Sequence, residues 1–192
     1  MNKAEMRAKY LQRRCKLNDN ERNMADKELC RLLTTLPEFK RVDKIVAYVS
    51  DGSEPDLMPL LQQIATAGKR LFLPRFAAAS RAGYELVETP SLTTSLVTGR
   101  YGIAEPVADL PATNEDLSTA LWLVPGVAFD SLGNRLGRGK GIYDRLLTQA
   151  KATAVGIFYK CQQTVAVPTD EHDYSLNIII TEAGITRINN GV

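Results

Sequence analysis

A chain of 192 residues and 21.2 kDa with 44% hydrophobic and 24% charged residues has the make-up of an ordinary globular protein with a sizeable core. Its 24 Lys and Arg against 22 Asp and Glu leave a net charge of +2, which excludes a general polybasic nucleic-acid coat, and no apolar run approaches the ~20 residues of a membrane span. Three scattered cysteines (Cys15, Cys30, Cys161), one histidine (His172) and first residues without the apolar stretch of a secretion signal exclude a disulfide framework and a multi-histidine metal site, and predict a reduced, cytoplasmic protein.

Residues 3–16 read as a helix. Met6, Tyr10 and Leu17 form an apolar stripe, and Lys3, Arg7, Lys9, Arg13, Arg14 and Lys16 against Glu5 make the segment strongly basic. A second helix is predicted from about Asp19 to Leu33, with Met24, Leu29, Leu32 and Leu33 as its buried side and Asn18-Asp19-Asn20-Glu21 as a capping start. Ile45–Val49 is a short apolar strand, followed by the turn formers Ser50-Asp51-Gly52-Ser53. A helix over Pro55–Ala67, stopped by Gly68, and a strand over Arg70–Pro74 complete a β-α-β unit of a largely parallel sheet. Gly83–Glu88 is expected as an antiparallel strand, and Pro90–Ser118 as irregular chain with one short helix. Leu121–Val124 is a strand that feeds a glycine-rich loop ending near Gly141. The helix Ile142–Ala150 and the strands Ala154–Phe158 and Asn177–Thr181 finish the chain. With no repeat and no linker, the expectation is a three-layer α/β fold in a single domain over residues 1–192.

The glycine-rich loop carries the strongest chemical signal. Gly133, Gly137, Gly139 and Gly141 fall within nine positions, interleaved with Arg135, Arg138 and Lys140. Glycine admits positive φ and lets a ligand approach the amides. Successive amides and the start of the following helix attract anions, and three cations offset several phosphate charges, so a polyphosphate is the economical ligand. The loop is neither a Walker A loop, since Gly139-Lys140 is followed by Gly141, nor a dinucleotide fingerprint, which needs glycine where Ile142 stands. Asp144, just beyond it, is placed to hold a magnesium ion against phosphate oxygens. Alone, such a loop also reads as a solvated surface turn; its place between an apolar strand and a helix, where open α/β sheets bind ligands, favours the ligand site.

The run Pro125-Gly126-Val127-Ala128-Phe129-Asp130, then Gly133-Asn134-Arg135-Leu136-Gly137-Arg138-Gly139-Lys140-Gly141 and Tyr143-Asp144, resembles the hallmark segment of the 5-formyltetrahydrofolate cyclo-ligase (methenyltetrahydrofolate synthetase) family. Weaker similarity extends over the basic N-terminal helix, residues 50–54, Pro74-Arg75, residues 101–106 and residues 168–173. The resemblance implies a mostly parallel α/β/α domain similar to the NagB/RpiA/CoA transferase-like fold. It also implies closure of 5-formyltetrahydrofolate to 5,10-methenyltetrahydrofolate with ATP as co-substrate and Mg2+, giving ADP and phosphate.

Carried over position by position, the resemblance makes Lys3, Arg7 and Arg135 to Tyr143 (Arg135, Leu136, Gly137, Arg138, Gly139, Lys140, Gly141, Ile142, Tyr143) the ATP contacts. Val49, Glu54 and Arg138 to Ile142 (Arg138, Gly139, Lys140, Gly141, Ile142) become folate contacts, Arg138 and Lys140 catalytic, and Asp144 and Asp173 magnesium-associated. A glutamate suits a pterin, whose two adjacent N–H donors match a carboxylate. Without the resemblance, Lys3 and Arg7 are a solvated helix face, Asp144 and Asp173 ordinary helix-start or turn residues, Glu54 a helix N-terminal residue, Tyr101 and Tyr143 core aromatics, and His172 a loop residue. The family often has Tyr or Phe at position 142, so Ile142 keeps an apolar contact and loses ring stacking. The implied partners are small molecules, with no nucleic acid and no membrane, for a monomer. Two readings remain beside it: another ATP- or sugar-phosphate-using enzyme on a similar scaffold, and an RNA-binding module, for which the chain has no aromatic-interleaved motif.

Overall fold

The computed structural model describes residues 1–80, 82–150, 152–171 and 173–188, the side chains of 148–150 excepted. His172 lies outside them.

The first two helices begin with the same device. In α1 (Lys3–Cys15) Asn2 accepts from the Glu5 amide while Glu5 reaches back to the Asn2 amide, and Asn18 and Glu21 repeat this capping box at α2 (Asp19–Thr35). Pro37 ends α2: the residue before a proline is pushed out of the helical region, and Leu36 sits at φ −60°, ψ 128° before the short α3 (Pro37–Arg41). The buried face of α2 is Ala25, Leu29 and Leu33, spaced by four; Met24 is exposed, one residue off that stripe, against the sequence expectation.

Strand β1 (Lys44–Val46) leads to α4 (Met58–Thr66), which starts three residues later than expected. The Pro55 carbonyl accepts from the Tyr48 hydroxyl and Asp56 Oδ1 accepts from the Met58 amide, so residues 47–57 form an ordered loop instead. Gly68, at φ +79°, stops the helix. β2 (Arg70–Phe76) and the antiparallel β3 (Tyr84–Glu88) follow. The stretch expected to be irregular holds a hairpin, β4 (Leu96–Thr98) with β5 (Ala104–Pro106), joined by the one-turn 3-10 helix Arg100–Gly102. Next comes β6 (Leu121–Val124), then a small ribbon inside the glycine-rich segment, β7 (Ala128–Phe129) with β8 (Arg135–Leu136), then α5 (Ile142–Ala150), β9 (Thr153–Ile157), β10 (Ile178–Thr181) and an edge strand the sequence did not announce, β11 (Gly184–Arg187).

Seven strands make one sheet in the order β11-β10-β9-β6-β1-β2-β3, parallel from β10 to β2 and antiparallel at both edges. Period-two alternation divides its residues between two cores. Ile45, Leu71, Leu121, Leu123 and Val155 face α2, α3 and α4, while Val46, Phe72, Trp122, Val124 and Ala154 face Leu146 and Leu147 of α5. This is the expected mostly parallel α/β architecture. α1 packs through Met6 and Tyr10 onto Val127, Ala128 and Leu136, the base of the glycine-rich segment. Among the described residues no helix is long and apolar enough to cross a membrane, and the three cysteines are unbonded.

From β1 the chain proceeds to β2 on one side, and from β6 to β9 on the other. The carboxyl ends of β1 and β6 therefore border the topological switch point, where an open α/β sheet leaves a crevice.

Candidate active site

The two loops at that crevice are built differently. After β1, Asp51 Oδ1 accepts from the amides of Ser53 (2.9 Å) and Glu54 (3.0 Å), and Ser50 Oγ donates to the Glu54 carbonyl at 2.7 Å. These bonds fix the backbone of Glu54, whose side chain is buried. After β6, Asp130 does the equivalent work. Its Oδ1 accepts from the Leu132 and Asn134 amides, and its Oδ2 from Asn134 Nδ2 and the Val167 amide, which holds the β7–β8 turn. The loop then runs out to Arg138, Gly139 and Lys140, all exposed. Gly139 (φ +94°) and Gly141 (φ +60°) adopt backbone conformations that strain any other residue, alternating with Arg138 and Lys140 as an anion nest requires.

The loops enclose a pocket of about 410 Å³, within the range of small-molecule sites. Val49, Ile142, Tyr143, Tyr84 and Tyr101 supply apolar and aromatic walls, Glu54 lies in its lining, and Arg138 and Lys140 stand on its rim. Arg138 Nε lies 3.4 Å from Glu54 Oε1, and the same guanidinium pairs with Asp51. Lys140 Nζ bonds the Tyr101 hydroxyl, and that hydrogen bond lowers the phenol's pKa from its usual value. Tyr101 sits at φ +65° in the β4–β5 turn, with Arg100 stacked on Phe76 at 4.0 Å beside it. Burial pushes Glu54 up to about 7 against the opposing charge of Arg14, and pushes the Tyr143 phenol far above its usual range.

A second cluster lies away from the pocket lining. Arg7 Nε donates to the Gly137 carbonyl at 2.9 Å, tying α1 to the loop. One turn earlier, Lys3 bonds Asp173 (2.7 Å) and Asp170 (2.6 Å). Arg135 is buried, with Nη2 2.5 Å from Asp144 Oδ1, and its charge also reaches Asp173. Burial by itself would raise Asp173, but the Lys3 bond and these charges hold it below the usual carboxylate value.

The predicted residues thus fall into two neighbouring groups joined by the loop: Val49, Glu54, Arg138, Lys140, Ile142 and Tyr143 at the pocket, and Lys3, Arg7, Arg135, Asp144 and Asp173 beside it. Leu136 differs from the rest, since its side chain is part of the core with Met6 and Tyr10. Sequence reasoning missed Arg14, Asp51 and Asp130. Asp51 stands one residue before Gly52, and Asp130 three and four residues before Gly133 and Asn134, in turn-rich segments, a recognisable loop-bracing signature. Arg14 has no such signal.

A mostly parallel sheet with its pocket at the switch point, and a cationic glycine loop leading from that pocket into a helix, define an α/β enzyme that acts on small molecules. The model of the 5-formyltetrahydrofolate cyclo-ligase family matches residues 1–182, so the chain belongs to that family. It is 32% identical over 181 residues to the 5-formyltetrahydrofolate cyclo-ligase of Escherichia coli K12, covering 91% of this chain and 97% of that one. It is 36% identical over 143 residues to that of Mycolicibacterium smegmatis, covering 71% and 72%. The solved structure of Aquifex aeolicus 5,10-methenyltetrahydrofolate synthetase superposes with a TM-score of 0.85 at 35% identity, covering all of this chain and 95% of that one.

Proposed function

We propose that this chain, as one catalytic domain over residues 1–192, converts 5-formyltetrahydrofolate and ATP into 5,10-methenyltetrahydrofolate, ADP and phosphate at the crevice between β1 and β6. The observation that carries this reading is the 3.4 Å approach of Arg138 to Glu54: the cationic loop and the buried carboxylate of the aromatic pocket meet at one point.

The chemistry explains why they must meet. A formamide carbon resists attack because its oxygen is a poor leaving group. When the formyl oxygen takes the γ-phosphoryl group, its bond to phosphorus forms as the bond to ADP breaks. The N10 lone pair then attacks the activated carbon and the N10 proton is lost. The carbon–oxygen bond breaks and phosphate departs, which leaves the amidinium ring closed. Catalysis of this kind is positioning and charge stabilisation. Glu54 accepts the paired N–H donors of the pterin, and Val49, Ile142 and Tyr143 line the ring's slot. Tyr84, Tyr101 and Tyr143 supply the aromatic faces that Ile142 does not. Arg138 and Lys140, on flexible stems over the pocket rim, follow the phosphoryl group as its charge spreads. Lys3, Arg7 and Arg135, with the amides of 137–141, hold the remaining phosphates.

Asp144 and Asp173 suit a magnesium ion brought in with the nucleotide. Both lie in the field of Arg135, and among the described residues no group of three or more His, Cys, Asp or Glu forms a metal cage. Magnesium is commonly held by one or two carboxylates plus substrate phosphates, which is what this cluster offers. When bound, the ion neutralises phosphate charge; Lys3 and Arg135 keep the two carboxylates aimed. The expected site of action is the cytoplasm, and the expected state a monomer.

The test is spectroscopic. The methenyl product's near-ultraviolet chromophore is expected only with 5-formyltetrahydrofolate, ATP and magnesium all present, and a chelator is expected to stop its appearance. Folded protein that gives no such absorbance with all three present defeats the reading. The loop itself is tested by Gly139→Ala. Left-handed backbone costs a residue with a Cβ about 1–2 kcal/mol, and that Cβ lies 3.1 Å from Arg7 Cζ. The exposed loop is expected to relax out of the nest conformation and so shed that strain, which leaves the melting temperature nearly unchanged and lowers ATP affinity about tenfold.

A further inference from the structure

Arg14 is a fully buried arginine on the apolar face of α1, four residues after Tyr10 and eight after Met6. A guanidinium in a core is expensive, and its partners show what it does there. Nη2 donates to Ser53 Oγ at 2.5 Å and Nη1 to the Gly126 carbonyl at 3.2 Å. Ser53 belongs to the loop after β1 and Gly126 to the loop after β6, so one side chain ties both lips of the crevice. The same two nitrogens lie 3.9 Å from Asp51 Oδ2 and 4.0 Å from Glu54 Oε1, while Nε is buried with no partner.

Glu54 therefore stands between two guanidiniums of different character. Arg138 reaches it from an exposed loop and has a second task on phosphate; Arg14 reaches it from inside the core and cannot leave. Among the described residues, Asp51 in its own loop, Tyr48 just after β1 and Tyr143 on α5 also face Glu54, and Tyr84, Tyr101, Glu105 and Lys140 line the same pocket; the one further cation among them, Lys140, is bonded to the Tyr101 hydroxyl. We infer that Arg14 is a positioning residue for the cyclo-ligase reaction: it is the permanent counter-ion that favours the carboxylate form of Glu54 and aims it at the pterin while Arg138 turns to the phosphoryl group. Burial drives Glu54 upward and Arg14 is the charge that restrains it, in keeping with this role. The inference rests on the folate-binding reading of Glu54.

That dependence sets the experiment. In the full chain, Arg14→Lys and Arg14→Gln are compared with wild type for folate KM across pH, for ATP affinity without folate, and for melting temperature. Since Glu54 binds as the carboxylate, folate binding is lost as pH falls through its pKa. Removing Arg14 raises that pKa, so the acid limb of kcat/KM for folate is expected to move to higher pH by about one in Arg14→Gln and by about half that in Arg14→Lys, whose shorter ammonium stands farther off. Folate KM near neutral pH is expected to rise about tenfold in Arg14→Gln, with ATP affinity within about twofold of wild type. An acid limb that stays in place in any folded Arg14 variant overturns the inference; should Arg14→Gln not fold, Arg14→Lys decides alone. Glu54→Gln separates the two levels. It is expected to flatten the acid limb, and if it leaves both limb and folate KM as in wild type, the reading of Glu54 fails first.

Discussion

Arg138→Ala is expected to lower kcat by about 10²-fold or more, the loss typical of removing one preorganised donor to developing charge, while the melting temperature moves little. Its side chain is 49% exposed while those of Asp51 and Glu54 are 14% and 9% exposed, and Arg14 stays 3.9 and 4.0 Å from the same two carboxylates when Arg138 is gone. That remaining partner limits the cost in stability, and the melting temperature of the variant separates lost turnover from unfolding. Lys140→Ala is expected to act in the same direction. The two should differ in detail: Arg138 also faces the Glu54 carboxylate, whereas Lys140 is held by the Tyr101 hydroxyl. Folate KM is accordingly expected to respond to Arg138→Ala and much less to Lys140→Ala. Arg138→Lys should restore only part of the rate, because an ammonium cannot make the planar fork to phosphate. Near-normal kcat in both alanine variants removes the loop from the chemistry and leaves it a binding surface.

The elements whose local pattern and burial agree are those that the chain spells out. Leu121-Trp122-Leu123-Val124 is apolar at every position because the strand is covered on both faces, and the glycine run after it has one sensible place, at that strand's carboxyl end. The β4–β5 hairpin escaped notice because two three-residue strands have no period to read, and β11 because a four-residue edge strand with mostly exposed side chains lacks an apolar signature. The site divides in the same way. Residues whose chemistry is contiguous in sequence, from Arg135 to Asp144, were visible as a unit. Glu54 and Asp173 became candidates only through family likeness, since their meeting with the loop is a product of the sheet order. In the sequence Arg14 is one more cation in a strongly basic segment. Its burial depends on Asp51, Ser53, Glu54 and Gly126, which no helical pattern over residues 3–16 can contain. Nor does the place of Arg135 among the loop cations announce that, unlike Arg138 and Lys140, it is 7% exposed and bonded to Asp144.

That buried pair carries the second large effect. Arg135→Met is expected to destabilise the protein by about 3 kcal/mol or more, the usual cost of breaking a buried ion pair from one side, and so to lower the melting temperature by roughly 6–12 °C for a domain of this size. The side chain of Arg135 is 3% exposed and bonds Asp144 Oδ1, so the substitution breaks a largely buried pair from one side, while methionine replaces much of the lost volume against Tyr143, over whose ring Arg135 lies at 5.9 Å. Adding Asp144→Asn to Arg135→Met completes a double-mutant cycle that isolates the coupling of this pair. If Arg135→Met melts within a degree or two of wild type, the pair is not structural and Arg135 is free to serve ATP alone. If instead the double variant regains stability but not turnover, one arginine supports both the fold and the phosphate cluster. Its burial would then keep Asp144 aimed where the nucleotide's metal arrives, as a rigid support for a site otherwise made of an exposed loop.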